Sequence, residues 1–363
     1  MRKIIKFSAI SFAIAVFTAI FFSVAVYATG NIYLTETHVL VGPYDLEGIL
    51  LIPETDGSPP PVVIMIHGTG QTNKDSSIGE IAPFRDIAHG LAESGIASIR
   101  YNKRFYQHPP IPVDMTLETE IFEDVSYAIE YAYNHTDLGD IFLVGFSLGG
   151  ILAPTIAHRH NHDSQHIQHN QHSQGSQHIQ CNQHNQIAGI ISLAGSPRHA
   201  SEILVSQSDM LNNMYAQALG VIVPSGFPSG EIINWVLTAT ENEVGESVFL
   251  TRMAHQLGFP FSYLHSLRDI NTHDIIDDLH IPMLFMHGSE DLQVFVQYDF
   301  LAWYHLVGHR DNVTFMLYEG LNHFFTPHVP ELGYWQTQAP ANVYHRVIKD
   351  MADWINYMVQ LCG

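Results

Sequence analysis

The chain has 363 residues, 46% of them hydrophobic and 11% aromatic, enough to bury a large core and too apolar to be disordered throughout. Its 36 acidic against 15 basic residues leave a formal charge of -21, which argues against nucleic-acid partners and against docking on an anionic membrane through a basic patch. Cys181 and Cys362 are too few and too awkwardly placed for a disulfide framework, so stability has to come from the core.

The chain opens MRKIIKFSAISFAIAVFTAIFFSVAVYATG, with Arg2, Lys3 and Lys6 ahead of an uncharged run from Phe7 to Ala28 that closes on small residues. Residues 1–28 are expected to be a signal peptide or, because the run approaches bilayer length, a retained N-terminal membrane anchor; either puts the remainder outside the cytoplasm, secreted or tethered. The segment 38–54 alternates as an opening hairpin, with Gly42 and Pro43 at its turn. After SPPP comes PVVIMIH (61–67), an unbroken apolar run of strand length that suits a strand buried on both faces. A helix around PFRDIAHGLAESG, the strand IASIRY (96–101), a helix over about 117–134, the strand IFLVGF and a helix over about 148–157 follow. This alternation predicts an α/β fold, a doubly wound and mostly parallel sheet with right-handed crossovers.

At 158–186 the composition changes to a His/Gln-rich tract whose glutamines recur every third residue from Gln165 to Gln186. A period of three fits neither helix nor strand, so the tract is expected to be a surface loop outside any packed element. The strand IAGIISLAGS (187–196) resumes the pattern, and residues 197–278 read as a helical cap inserted in one domain that runs from 30 to 363. The strand IPMLFMHG (281–288), a helix through VQYDFLAWYHLVG, the strand NVTFMLYEG (312–320) and an amphipathic helix over about 341–359 complete the order.

The segment Gly145-Phe146-Ser147-Leu148-Gly149 lies between a predicted strand and a predicted helix. That is the context of the G-x-S-x-G turn, in which a serine is pushed out at the carboxyl edge of the sheet. A serine hydroxyl needs a base to take its proton and a carboxylate to orient that base. In this order of elements they are expected on loops after later strands: Asp291 after IPMLFMHG, with Glu290 as the alternative acid, and His323 after NVTFMLYEG. His305 and His345 lie in predicted helices, and His287 ends a strand near the same edge as a supporting group. The oxyanion donors are expected to be the backbone N–H of Leu148, at a helix start, and that of Thr69 in the loop His67-Gly68-Thr69-Gly70. Gly145, Gly149, Gly68 and Gly70 permit close backbone approach, with His67 supporting.

With HGTG at 67–70, FRDIAHGLAESGIASIRYNKR at 84–104, GFSLGG at 145–150, HGSEDLQV at 287–294 and GLNHFF at 320–325, the chain resembles the α/β-hydrolase superfamily. Within it the likeness is to bacterial serine carboxylesterases of the dienelactone-hydrolase-like or acyl-thioester-hydrolase-like branch. The resemblance implies a small-molecule ester as substrate, an acyl-enzyme and no cofactor or metal; an exported peptidase or thioesterase would use the same groups. Departures at Asn102, Phe105 and QTNKD (71–75), where such relatives carry other residues, are expected to border the acyl or leaving-group pocket. Phe249, Leu250, Phe259, Phe261 and Tyr263 of the cap suit a small to medium hydrophobic acyl group. The histidine-rich tract supports a second class of reading, a metal-binding surface protein on a hydrolase scaffold. Oligomeric state is left open.

Overall fold

The computed structural model describes residues 24–29, 32–168, 186–219, 259–333 and 335–362. Among them nine strands form one sheet in the order β1-β2-β3-β5-β4-β6-β7-β8-β9. The first three, β1 (Val24–Thr29), β2 (Ile32–Val41) and β3 (Leu46–Pro53), run antiparallel to their neighbours, and β3 pairs antiparallel with β5 (Ala97–Tyr101). From β5 onward every pairing is parallel, through β4 (Val62–Ile66), β6 (Ile141–Phe146), β7 (Ile187–Leu193), β8 (Met283–Gly288) and β9 (Val313–Tyr318). The hairpin at 38–54 is the β2–β3 pair, turning through Gly42 at φ 65°.

The unbroken apolar runs are the central strands, and β4, β5, β6 and β8 are buried along their whole length. Successive residues feed opposite faces, as the two-residue period requires. Val62, Ile64 and Ile66 join one core with Leu143, Ile129 and Leu152, while Val63 and Met65 join a second with Phe142, Phe84 and Trp354. Helices cover both faces. The helix α1 (Pro83–Ala92) starts on a proline, whose missing N–H costs nothing there, and buries Phe84, Ile87, Ala88 and Leu91. The short helix α2 (Arg104–Gln107) follows β5, and a π-helical turn leads into α3 (Glu123–Tyr133). Further on lie α4 (Leu148–Gln168), α5 (Ala200–Leu219), α6 (Phe261–Arg268) and α7 (Leu301–Val307). The last helix, α8 (His345–Cys362), buries Val347, Met351 and Ile355 along one stripe and packs on α1 where Gly90 leaves room for Ile348.

Two expectations change. The helix after β6 does not stop near residue 157 but runs to Gln168, so the first third of the His/Gln tract belongs to a packed element. Asn161 supplies the reason: it is buried, its side-chain oxygen accepts from the Ile187 N–H at 2.8 Å, and it thereby ties the helix to the start of β7. Arg159 adds to this by covering the Phe122 ring at 4.0 Å and pairing with Glu118 at 2.9 Å. Residues 169–185 lie outside the described residues, as do 220–258 of the cap with Phe249 and Leu250.

The apolar start divides as well. Residues 1–23 lie outside the described residues, whereas Val24–Thr29 form the edge strand β1 on β2. No helix among the described residues is long and apolar enough to cross a membrane.

Candidate active site

The order β5-β4-β6 reverses the direction of winding at β4, and in such sheets the crevice beyond the carboxyl ends of the strands at the reversal is where ligands bind. The chain places Ser147 there. Ile66 pairs with Gly145, so the loop leaving β4 and the turn leaving β6 emerge side by side. Ser147 holds φ at 54°, a left-handed conformation that a non-glycine residue adopts only under constraint. The constraint is visible: its N–H donates to the Leu193 carbonyl at 2.8 Å, and its own carbonyl accepts from Ile151 at 3.0 Å as α4 begins. A Cβ on Gly145 would lie 2.1 Å from the Gly149 oxygen and one on Gly149 2.2 Å from the Ile66 oxygen, so only glycine fits at either position. Leu148 is the first residue of α4, where N–H groups have no partner within the helix.

His323 and Asp291 are brought together from loops 32 residues apart. The imidazole Nδ1 donates to Asp291 Oδ2 at 2.7 Å, both groups buried. Asp291 Oδ1 accepts the N–H groups of Gln293 and Val294 at 2.8 and 2.9 Å, so the same carboxylate holds its own turn and the imidazole. Burial pushes the Asp291 carboxyl up, but the charge and hydrogen bond of His323, the nearby His287 and the Val294 N–H outweigh it and hold the group below the ordinary carboxylate range. Glu290, the alternative acid, is exposed and bonded to Ser289. His287 is buried under the turn, 2.8 Å from the Val294 carbonyl and 3.5 Å from Asp291. His305 and His345 are exposed. The ring of His323 sits 5.0 Å from that of Phe146, the residue before Ser147, so the imidazole lies beside the end of β6.

The loop from His67 passes directly over this turn. A Cβ on Gly68 would meet Ser147 Cβ and the Phe146 carbonyl at 3.2 Å; Thr69 is exposed, and Gly70 holds φ at 92°. His67 is buried, with Nε2 2.6 Å from the Tyr101 carbonyl and Nδ1 3.0 Å from the Thr72 hydroxyl. Burial and the neighbouring Lys103 cation lower its pKa to about 3 against the opposing pull of the Tyr101 carbonyl, so the ring is neutral, donating through Nε2 and accepting through Nδ1.

The departures at Asn102, Phe105 and 71–75 have structural contacts of their own. Asn102 accepts the Lys74 N–H at 2.8 Å and donates to Gln107, and Phe105 is buried in the core. Asp75 pairs with the buried Arg100 at 2.9 Å. Within the cap, Tyr263 is buried and stacked on Phe259 at 4.8 Å.

Three supporting groups escaped the sequence reading. Asn322 accepts the Phe324 N–H at 2.9 Å and donates to Thr326 at 2.8 Å, shaping the turn that presents His323; an asparagine just before the histidine in a predicted loop was the available signal. Asp299 accepts from Ser196 at 2.5 Å, Arg198 at 2.7 Å and the Phe295 N–H at 2.6 Å, joining the loops after β7 and β8. Lys103 and Glu120 form a buried pair 2.8 Å apart beneath the loop 67–71. Neither of the last two left a local signal. Among the described residues, no group of three or more His, Cys, Asp or Glu side chains is placed to hold a metal ion.

A family model described as BD-FAE matches residues 49–220. Esterase EstD of Thermotoga maritima is 28% identical over 310 residues, covering 85% of this chain and 65% of that protein, so the chain spans 65% of the length of the curated relative it matches. Similar solved structures include Est1E from Butyrivibrio proteoclasticus, with a TM-score of 0.49 and 17% identity over 93% of this chain and 99% of that one. Another is proline iminopeptidase from Mycobacterium smegmatis, with a TM-score of 0.49 and 14% identity over 90% of this chain and all of that one. A serine raised on a strand-to-helix turn at the switch point of a mostly parallel sheet is the arrangement of the α/β-hydrolase fold, and along most of its length the chain is similar to a protein named an esterase.

Proposed function

We propose that the protein hydrolyses carboxylic esters of small molecules through an acyl-enzyme on Ser147. The observation that carries this reading is the coincidence, at one sheet edge, of a serine held at φ 54° on the elbow and an imidazole whose Nδ1 is already committed to a buried carboxylate at 2.7 Å. With Nδ1 donating to Asp291, Nε2 is free of its proton and serves as the base. The Ser147 hydroxyl oxygen adds to the acyl carbon while its proton passes to His323 Nε2. The carbonyl oxygen becomes an oxyanion facing the N–H groups of Thr69 and Leu148. As the tetrahedral intermediate collapses, the bond to the alkoxide breaks and His323 returns the proton to that oxygen. Water, deprotonated by the same nitrogen, then releases the acid and restores the serine hydroxyl. Asp291 stays ionised and steadies the imidazolium formed in each half.

The relative named an esterase supports this chemistry. The test is hydrolysis of p-nitrophenyl butyrate together with labelling by a fluorophosphonate. Ser147→Ala is expected to lose both the label and at least about 10³-fold in kcat, and His323→Ala to lose a similar factor. Full activity in Ser147→Ala, or a label attached elsewhere, would refute the assignment.

A further inference from the structure

Lys103 is 1% exposed and Glu120 2%, an unusually deep place for two charges. A buried ion pair rarely adds stability over apolar side chains of the same size, because desolvation consumes the attraction, so its geometry is what needs explaining. The Lys103 ammonium lies 2.8 Å from Glu120 Oε1 and donates to the Gly68 carbonyl at 3.0 Å. The same Glu120 oxygen accepts from Gln71 Nε2 at 2.6 Å, and the Lys103 backbone N–H donates to the Thr72 carbonyl at 3.1 Å. The pair therefore holds both ends of the segment from Gly68 to Gln71, the ammonium at Gly68 and the carboxylate at Gln71.

Gly68 abuts Ser147: a Cβ there would lie 3.2 Å from Ser147 Cβ, closer than most side chains pack. Glycine in turn offers little resistance to rotation of the peptide that follows it. That peptide is trans and planar, so its carbonyl and the Thr69 N–H point in opposite directions. With the carbonyl drawn to the buried ammonium, the Thr69 N–H faces the other way, out of the buried side of the loop.

We propose that Lys103, held by Glu120, is a positioning residue of the oxyanion hole: it locks the Gly68–Thr69 peptide with its N–H turned toward the oxygen that becomes negative when Ser147 adds. The cation also polarises the peptide it holds, which makes that N–H a stronger donor. The proposal rests on the reading of Ser147 as the nucleophile.

Lys103→Met and the double variant Lys103→Met, Glu120→Gln test it; the double variant leaves no unpaired buried charge. For p-nitrophenyl butyrate, kcat per fluorophosphonate-labelled site is expected to fall by about 10²–10³-fold with KM little changed, as when one oxyanion donor is lost. Affinity for an alkyl trifluoromethyl ketone, whose adduct with the serine carries the oxyanion, should fall by the same factor. The proposal is overturned if the double variant keeps kcat per labelled site within about threefold of wild type, or if its activity loss is matched by a lower labelled fraction and lower melting temperature alone. If instead Ser147→Ala remains active or unmodified chain takes the label elsewhere, the nucleophile assignment fails first and this proposal with it.

Discussion

At the scale of single residues, His67 shows how the loop over Ser147 couples to solution conditions. The folded imidazole takes a proton only near pH 3, because burial and Lys103 disfavour the cation, whereas in the unfolded chain it titrates near 6.5. Between those values the unfolded state binds more protons, so stability rises with pH across this window and is lost as the medium is acidified. At pH 4 this group alone costs about 3 kcal/mol relative to neutral pH. His67→Gln removes the titration. Urea unfolding followed from about pH 7 to about pH 4 should therefore show a shallower loss in the variant, by about 3 kcal/mol at the acid end; parallel curves would exclude this residue as the source.

At the scale of elements, the elbow works because α4 and β4 come closer than any side chain allows. A methyl group on Gly149 would stand 2.2 Å from the Ile66 carbonyl, a backbone atom that cannot swing away. Gly149→Ala is expected to displace the start of α4 and with it both Ser147 and the Leu148 N–H. Fluorophosphonate labelling should slow by at least about 10²-fold, a loss that includes the proposed oxyanion donor; labelling at the wild-type rate would show that the turn tolerates the methyl. The elements themselves were legible because strands covered on both faces must be apolar throughout, as in VVIMI and IFLVGF, and because Ser147 directly follows such a strand while Asp291 and His323 lie on loops after later ones. The extension of α4 was not legible. It depends on Asn161 meeting the Ile187 backbone 26 residues later, across a repeat whose own period matches no element.

At the scale of the molecule, the chain carries a formal charge of -21, and the proposed site has to admit a substrate in its field. The resulting negative potential repels anionic esters and leaves neutral ones unaffected, and salt screens it over a Debye length of about 10 Å at 0.1 M. For an ester carrying a carboxylate, kcat/KM should rise by about 2- to 5-fold as ionic strength increases from about 10 to about 300 mM, while p-nitrophenyl butyrate shows no such trend. Equal salt responses of the two would indicate that the acidic residues lie too far from the crevice to matter.

What the sequence alone determined was the succession of strands and helices, the glycine-flanked serine and the two later loops that offer Asp291 and His323. Each of these is a short-range pattern, set by side-chain period or by the residue that a tight turn demands. Only the tertiary structure decided that Asp291 rather than Glu290 meets the imidazole, and that Asn102 and Asp75 strap a loop in place. It alone pairs Lys103 with Glu120 beneath the Gly68 carbonyl. Those choices depend on which distant segments the sheet order makes neighbours, and a buried charge gives no hint along the chain of the partner that makes its burial tolerable.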